Sequence, residues 1–334
     1  MRTSSLLVAG LLALSHAATL PSPNSPVNDL VARKGGSDDG GSSGKGKGSG
    51  DSSGSGSSTN QCTVWQQVNK DLNTRFMAGD QCNDLARAAI RAIFHDCGSW
   101  DNSQGFSGGC DGSLVLGKSS TAGDPDELFR PENRGLQTIA KVLQDMAGTY
   151  GTSVADMIVF AGNAAIFLCP GGPKVKTFVG RKDSTANAKP GGLPDVFGSA
   201  QSLFALFAAK GFSAEDLAAL LGAHSTSTQN FVDPKQANAS QDSTPGKWDV
   251  NYYSETYNYA VQKAPKQAPP GVFVFPSDEK LATDTDTGVG KKFQGFIGNQ
   301  NKWASSFSNA MEKMALFGNN KGTMTDCTDA IARV

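Results

Sequence analysis

Hydrophobic residues recur every three or four positions in several segments between residues 64 and 314. This spacing places them on one face of an α-helix, whereas a strand needs alternating apolar and polar positions. The apolar positions are Val64, Trp65, Val68 and Leu72, then Leu136, Ile139, Val142, Leu143 and Met146, then Val154, Met157, Ile158, Ala161 and Ala165, then Leu217, Leu220 and Leu221, and lastly Trp303, Phe307, Ala310, Met311 and Met314. The pattern predicts a mainly α fold.

Two of these helices have recognisable ends. Ser213 is typical of an N-cap, with Glu215 and Asp216 in the first turn. Gly318 follows the last apolar stripe and predicts the end of that helix. Runs with strand character are short, Val272–Phe275 being the best of them, and Pro/Gly-rich connections join the helices.

The first sixty residues differ from the rest. Arg2, an apolar run over residues 6–14 and small residues at 15–18 are the pattern of a secretory signal peptide, with a buried first helix as the alternative. Residues 35–58 contain only Gly, Ser, Asp and Lys, so nothing there offsets the chain entropy. We expect a signal peptide at 1–18, a disordered Gly/Ser-rich linker at 19–60 and one globular domain at 61–334. Arg33-Lys34 is either a processing site or two solvated charges.

Charge and cysteine content limit the classes of protein to which this chain could belong. The chain carries 30 Lys+Arg against 31 Asp+Glu, a balance that argues against a general nucleic-acid binder. Its longest apolar run is too short to span a membrane. All six cysteines follow the linker, and an even number is typical of disulfides in a secreted chain. Asn238 begins an N-glycosylation sequon. We expect a secreted, extracellular, glycosylated monomer with no nucleic-acid or membrane partner.

Two histidines of the globular region have distinctive surroundings. His95 follows Arg91 by four positions, so the two share a helix face, with Phe94 between them in sequence. A neighbouring arginine disfavours imidazolium, and a neutral imidazole beside a fixed cation suits a general base for a peroxide. His224 lies at the end of the capped helix. A purely structural histidine is the alternative for each.

Several motifs resemble those of the plant and fungal haem peroxidases. Residues 91–97 (RAIFHDC) resemble the distal helix of that family, and residues 221–225 (LGAHS) resemble its proximal-histidine motif. Further matching segments follow in family order at 160–162, 169–173, 180–183, 242–246 and 324–327. The resemblance covers nearly all of residues 61–327 and is greatest to the secreted fungal class II branch. It implies two helical halves with the haem between them and little β structure.

The resemblance implies a haem b cofactor held on its proximal side by two residues. His224 would be the axial ligand of the iron. Asp278 matches the carboxylate that accepts the other N–H of this ligand, which fixes its tautomer and makes it more electron-donating.

The distal residues would act on hydrogen peroxide. His95 would take its proton and return it to the leaving oxygen, and Arg91 would stabilise the developing negative charge. Asn133 would hold His95 in the required tautomer, and Glu127 matches the acid that supports this amide. Phe94 belongs to the same catalytic group. An ordinary loop is the alternative for Asn133 and Glu127.

Two calcium sites are implied as well. The distal set is Asp96, Gly109, Asp111 and Ser113. The proximal set is Ser225, Asp242, Thr244, Lys247 and Asp249, with Lys247 contributing its carbonyl. Carboxylates, hydroxyls and carbonyls are the donors that Ca²⁺ prefers. Unliganded Asp/Ser turns are the alternative.

The resemblance also implies how the cysteines pair. Cys82 with Cys169 and Cys62 with Cys327 follow the fungal pattern. The remaining pair is then Cys97 with Cys110, a bridge more like that of the plant branch. A nucleophilic Cys97 is the alternative, which the even number of cysteines disfavours.

The residues that relatives use to oxidise their reducing substrates are less well matched in this chain. Manganese-oxidising relatives use three acids, and only Asp84 fits here, because the other positions hold Ala88 and Asn230. Lignin-type relatives carry an exposed Trp where this chain has Ala219. Gln241 replaces the usual aromatic residue beside the proximal ligand. Two tryptophans, Trp100 and Trp248, are electron relays or, as we favour, packing or interface residues.

We therefore expect a haem-dependent peroxidase that oxidises small phenolic or dye-like donors in one-electron steps. A catalytically silent, calcium-stabilised binding protein on the same fold is the alternative. A non-haem metal enzyme is disfavoured, because its two histidines are far apart and no local His/carboxylate triad accompanies them.

Overall fold

Helices make up most of the computed structural model, which describes residues 61–334, and this confirms the mainly α fold. The helices are α1 (Thr63–Phe76), α2 (Asp84–Cys97), α3 (Ser113–Leu116), α4 (Gln137–Tyr150), α5 (Val154–Leu168), α6 (Ala200–Ala209), α7 (Ala214–Leu221), α8 (Asn251–Ala260), α9 (Pro276–Ala282), α10 (Val289–Gln294) and α11 (Gln300–Ala315). The predicted signal peptide and linker lie outside the described residues.

The strands in this part of the chain are two residues long and form three antiparallel pairs. They are β1 (Met77–Ala78) with β2 (Gln81–Cys82), β3 (Phe178–Val179) with β6 (Thr325–Asp326), and β4 (Thr228–Gln229) with β5 (Ala239–Ser240). The predicted strand at Val272–Phe275 is wrong. Only Val272 forms a bridge, to Ser240, and the chain enters α9 at Pro276 before a second strand can pair with it.

The centre of the first half is the packing of α2 against α5. Every residue of α5 from Val154 to Ile166 is buried, as expected of a helix that is apolar all round. Gly162 lets the two helices approach closely, because a Cβ there would lie 2.6 Å from Cγ2 of Ile93. This contact leaves the opposite face of α2, with Arg91 and His95, turned to the cavity described below.

In the second half, α7 packs against α10 and α11 and positions the segment after it. The predicted N-cap is confirmed, since Ser213 accepts from the backbone N–H of Asp216 and the Asp216 side chain accepts from that of Ser213. Helix α7 ends at Leu221 and continues as a 3₁₀ turn, Gly222–Thr226, which carries His224. Gly222 is required there because a Cβ would lie 2.4 Å from the indole nitrogen of Trp303.

The last helix ends earlier than predicted. Helix α11 stops at Ala315, and Gly318 lies in the following turn with a φ of 75°. The turn closes tightly on the loop that precedes α3, since a Cβ on Gly318 would lie 1.8 Å from the carbonyl oxygen of Gly108. The glycine therefore serves this close backbone approach and the left-handed turn rather than the helix end itself.

Three disulfides join the pairs that the resemblance implied, Cys62–Cys327, Cys82–Cys169 and Cys97–Cys110. No free cysteine occurs among the described residues, so Cys97 is not a thiol nucleophile in this structure. Within residues 61–334 no single helix is long and apolar enough to cross a membrane, although α4 and α5 meet those criteria as a pair bent by 113°.

Candidate active site

A cavity of about 780 Å³ is lined by residues of α2 and by residues of the turn after α7, among others. Its walls are largely apolar, and both histidines of the described chain, His95 and His224, contribute to them. The apolar lining comes mostly from α2, α6, α7 and α11, through Ile90, Phe94, Leu203, Phe207, Leu217, Leu220, Met311 and Met314.

On the α2 side, His95 and Arg91 lie one helical turn apart and their side chains meet. The Nε of Arg91 donates to Nε2 of His95 at 3.2 Å. The Nδ1 of His95 lies 2.7 Å from Oδ1 of Asn133, an oxygen that can only accept, so Nδ1 carries the hydrogen. Main-chain carbonyls hold the guanidinium in place, since Nη1 donates to Arg134 and Nη2 to Glu132, both at 2.8 Å. The sequence motifs did not indicate these two carbonyls.

The electrostatics of this side keep His95 neutral. Burial, and then the positive charge of Arg91, lower the pKa of His95 from 6.5 to about 3, although the bond to Asn133 acts in the opposite direction. Burial also lowers the pKa of Arg91 from 12.5 to about 10, which leaves it charged at neutral pH. Phe94 packs edge-on against His95 with ring centroids 5.7 Å apart and lines the cavity.

The support of the Asn133 amide differs from the expectation. Its Nδ2 donates to the main-chain carbonyl of Glu127 at 2.7 Å, not to the Glu127 carboxylate. That carboxylate accepts from the backbone N–H of Ala188 and therefore braces the neighbouring loop. The 3₁₀ turns Glu127–Phe129 and Pro131–Asn133 place the carbonyl and the amide together, a juxtaposition of backbone and side chain that sequence spacing does not reveal.

In the turn after α7, His224 is held by a buried carboxylate. Its Nδ1 lies 2.7 Å from Oδ2 of Asp278, as predicted from the resemblance. Burial disfavours the charged imidazole, but the Asp278 charge and hydrogen bond outweigh this and raise the pKa of His224. The same Oδ2 also accepts from the hydroxyl of Tyr252 at 2.8 Å, a contact that no sequence motif indicated.

The residues of the cavity fit a haem. His224 exposes 32 % of its side chain while its Nδ1 is occupied, and its Nε2 has no hydrogen-bond partner among the described residues. An imidazole nitrogen that faces an apolar cavity without a hydrogen-bond partner is an iron ligand of the kind that haem proteins use. Gln241 adds an unusual polar group to this wall, because its Nε2 is buried without a partner.

The distal calcium residues cluster beside the α2 side of the cavity. Asp96 is fully buried and accepts from the backbone N–H groups of Gly112 and Leu114, both at 3.1 Å. Burial, and then the charge of Asp111, raise the pKa of Asp96 well above its usual value. The hydroxyl of Ser113 is buried and has no partner within residues 61–334. Gly109, the fourth residue of this set, is pressed against the carbonyl of Phe317.

The proximal calcium residues show the same features. Burial and the nearby acids raise the pKa of Asp242 to about 8. Thr244 joins the two carboxylates of the set, since its backbone donates to Asp242 at 2.8 Å and its hydroxyl to Asp249 at 2.9 Å. The hydroxyl of Ser225 and Oδ2 of Asp242 are buried without partners in the described chain. The backbone N–H of Lys247 donates to Thr244 at 2.9 Å, which closes this loop.

The described residues contain no cluster of three or more His, Cys, Asp or Glu side chains that could hold a metal ion. Each predicted calcium set instead combines two carboxylates with hydroxyl and carbonyl oxygens, which is the mixed oxygen set that Ca²⁺ takes. The buried oxygens without partners are the atoms that a cation would satisfy.

The residues considered for oxidation of the reductant are two positions compared with manganese- and lignin-oxidising relatives, and two tryptophans. Asp84 is largely exposed and pairs with Arg87, while Ala219 is fully buried. Trp100 stacks on Phe317 with centroids 4.5 Å apart. Trp248 is fully buried and stacks on Trp303 at 5.4 Å, so both of the tryptophans singled out from the sequence pack against an aromatic neighbour.

A helical fold whose apolar cavity is lined by two histidines, one beside an arginine and the other held by a carboxylate, is the arrangement expected of a haem peroxidase. A family model described as peroxidase matches residues 65–290. A peroxidase of Arthromyces ramosus is 30% identical over 290 residues, covering 82% of this chain and 77% of the relative. Ligninase H2 of Phanerodontia chrysosporium is 30% identical, covering 82% and 75%, and a low-redox potential peroxidase of Taiwanofungus camphoratus is 32% identical, covering 81% and 78%. The chain belongs to the peroxidase family and is a peroxidase enzyme of the fungal class II branch.

Proposed function

We propose that this chain is a secreted haem b peroxidase in which His95, Arg91, Asn133 and Phe94 form the peroxide site. His224, oriented by Asp278, would hold the haem iron through its Nε2. The net reaction reduces one hydrogen peroxide to two waters and oxidises two donor molecules by one electron and one proton each. When bound, haem would supply the two electrons that cleave the O–O bond, and the two donors would replace them.

The residues of the chain manage the protons. Because Asn133 accepts from Nδ1 of His95, Nε2 carries the lone pair and would take a proton from hydrogen peroxide. The same Nε2 returns this proton to the leaving oxygen, which departs as water. The Arg91 guanidinium, held by two carbonyls, stabilises the negative charge that develops as the O–O bond breaks. Phe94 and the apolar walls limit the entry of water.

The observation that carries this proposal is the arrangement of the two histidines on one cavity, each with its Nδ1 held at 2.7 Å. The test is the visible spectrum of the purified protein before and after one equivalent of hydrogen peroxide. We expect a Soret band that shifts with peroxide and returns when a phenol is added. Absence of a Soret band after reconstitution with haem and calcium would overturn the proposal.

Small phenolic or dye-like donors suit the entrance of the cavity. Phe197 and Phe231 line it and are 60% and 46% exposed, so aromatic faces are available to a planar donor. Arg134 lies 4.9 Å above the ring of Phe231 and holds it at the rim. The pairing of Asp84 with Arg87 does not favour tight manganese binding there.

Two calcium ions complete the proposed enzyme. The oxygens without partners at Ser113, Ser225 and Asp242 support one ion beside each histidine. Asp96 directly follows His95, and Ser225 directly follows His224, so each ion would stiffen one side of the haem site. The calcium-stabilised binding protein without catalysis is not favoured, because Arg91 and His95 are arranged for proton transfer.

The signal-peptide pattern and three disulfides support an extracellular location. Asn238 is exposed, as a glycosylation site must be. We propose that the enzyme acts as a glycosylated monomer on hydrogen peroxide and small donors, without nucleic-acid or membrane partners.

A further inference from the structure

The carboxylate behind His224 is shared between two donors. Oδ2 of Asp278 accepts from Nδ1 of His224 at 2.7 Å and from the hydroxyl of Tyr252 at 2.8 Å. Its other oxygen accepts only a longer bond, from the hydroxyl of Ser277 at 3.1 Å. The imidazole and the phenol therefore compete for the electron density of one oxygen atom.

This contact is buried and fixed in geometry. Tyr252 is fully buried on α8, and Asp278 is 1% exposed at the start of α9. The phenol ring packs edge-on against His224 with centroids 5.8 Å apart and against Phe293 at 5.6 Å. Hydrogen bonds to an ionised group are strong, and a low-dielectric surrounding strengthens them further. The hydrogen bond from the Tyr252 hydroxyl therefore draws electron density away from the Asp278 carboxylate.

We infer that Tyr252 is a positioning residue that tunes the iron potential through Asp278 and His224, an inference that rests on the proposed role of His224 as the axial ligand. A carboxylate that accepts the N–H of a metal-bound histidine makes the ring more basic. A second donor on the same oxygen weakens that effect. The iron potential is then higher than it would be with His224 and Asp278 alone, because a less electron-donating axial ligand stabilises the reduced iron.

The neighbouring Tyr253 provides a matched control. It is also fully buried on α8, but its hydroxyl donates to the carbonyl oxygens of Ala218 and Ala219, at 2.8 and 3.2 Å. Tyr253→Phe removes a buried hydroxyl of the same kind without touching Asp278. Tyr252→Phe removes the hydroxyl that Asp278 accepts and leaves the ring to fill the same space.

The experiment compares the haem-reconstituted wild type with these two variants. The Fe(III)/Fe(II) midpoint potential is measured by spectroelectrochemistry, and the iron–histidine stretching frequency of the ferrous protein by resonance Raman spectroscopy. We expect Tyr252→Phe to lower the potential and raise the stretching frequency, and Tyr253→Phe to change neither. An unchanged potential in Tyr252→Phe, or an equal shift in Tyr253→Phe, would overturn the inference.

A second substitution tests the direction of the change in iron potential while keeping the hydroxyl. Replacing Tyr252 by 3-fluorotyrosine makes the phenol a stronger acid and a stronger donor, so the potential is expected to rise. A fall or no change would contradict the inference even if Tyr252→Phe proved too unstable to reconstitute. A wild type that lacks an iron–histidine band would instead refute the proposed role of His224, so the two failures are distinguishable.

Discussion

His95 and His224 line the same cavity, and each has its Nδ1 fixed 2.7 Å from a side-chain oxygen. The two oxygens differ in charge, however. The neutral amide of Asn133 only partly offsets burial and the charge of Arg91, which together lower the pKa of His95 to about 3, whereas the carboxylate of Asp278 raises the pKa of His224. One imidazole is thereby suited to moving a proton and the other to donating electron density.

Replacing His95 by Ala should slow the reaction with peroxide by roughly 10²- to 10⁴-fold, the usual contribution of a positioned general base. Haem binding should persist, because His95 is not the proposed axial ligand. Stopped-flow measurement of the Soret change at limiting peroxide checks this. A variant that reacts as fast as the wild type would refute the assignment.

The fall in the rate of the peroxide reaction at low pH should depend on Arg91. His95 acts as a base only when unprotonated, so the rate falls as the pH drops through its pKa of about 3. Removing the guanidinium charge in Arg91→Leu removes the second cause of that lowered pKa, so the acid limb should move to higher pH. Rate constants from pH-jump stopped flow compare the two proteins. An acid limb at the same pH in both would contradict this account of His95.

Replacing His224 by Ala should remove the axial ligand without removing the cavity. The variant is expected to show an altered haem spectrum, and added imidazole should restore much of the wild-type spectrum. His95→Ala, which keeps Nε2 of His224, is the control for nonspecific damage. An unchanged spectrum in His224→Ala would place the axial ligand elsewhere.

Calcium removal should destabilise the protein reversibly. At a calcium concentration 100 times Kd, each site adds about 2.7 kcal/mol, which corresponds to roughly 5–11 °C in Tm for a large domain. Thermal unfolding with a chelator, and again after calcium is restored, measures the change. Asp242→Asn should lower the calcium-dependent gain, whereas Asp84→Asn, at an exposed residue outside both sets, should not. A Tm that is insensitive to calcium would exclude both sites.

Phe231→Ala should weaken the binding of phenolic donors. An aromatic contact contributes about 0.5–1.5 kcal/mol, so the KM for the phenol should rise roughly 2- to 10-fold. Phe106→Ala is the control, since Phe106 is 76% exposed and does not line the cavity. Steady-state kinetics with a phenol at saturating peroxide separate the two variants. Equal KM values would remove Phe231 from the donor site.

Features set by neighbouring residues could be read from the sequence. The helical stripes and the N-cap at Ser213 depend on spacing within a few positions, and both are present in the structure. The one-turn separation of Arg91 and His95 likewise follows from helix geometry. The motif order was sufficient to recognise the family, because those short segments keep their residue types and sequence order.

Other features depend on segments that are distant in sequence. Val272–Phe275 has strand propensity, but it meets only the end of the two-residue strand β5, at Ser240, so a single bridge forms. The Glu127 side chain was expected beside Asn133, but the 3₁₀ turns bring its carbonyl there and send the carboxylate to Ala188.

Residue type and local spacing predicted the apolar stripes of α1, α4, α5, α7 and α11, and they also identified the family and the two site histidines. Tertiary structure alone decided which atoms complete the site. The carbonyls that hold Arg91 and the Tyr252 hydroxyl on Asp278 come from other elements, and only chain packing sets those distances. Hydrogen bonds require approach to within about 3 Å, and sequence spacing does not specify such an approach between separate helices and loops.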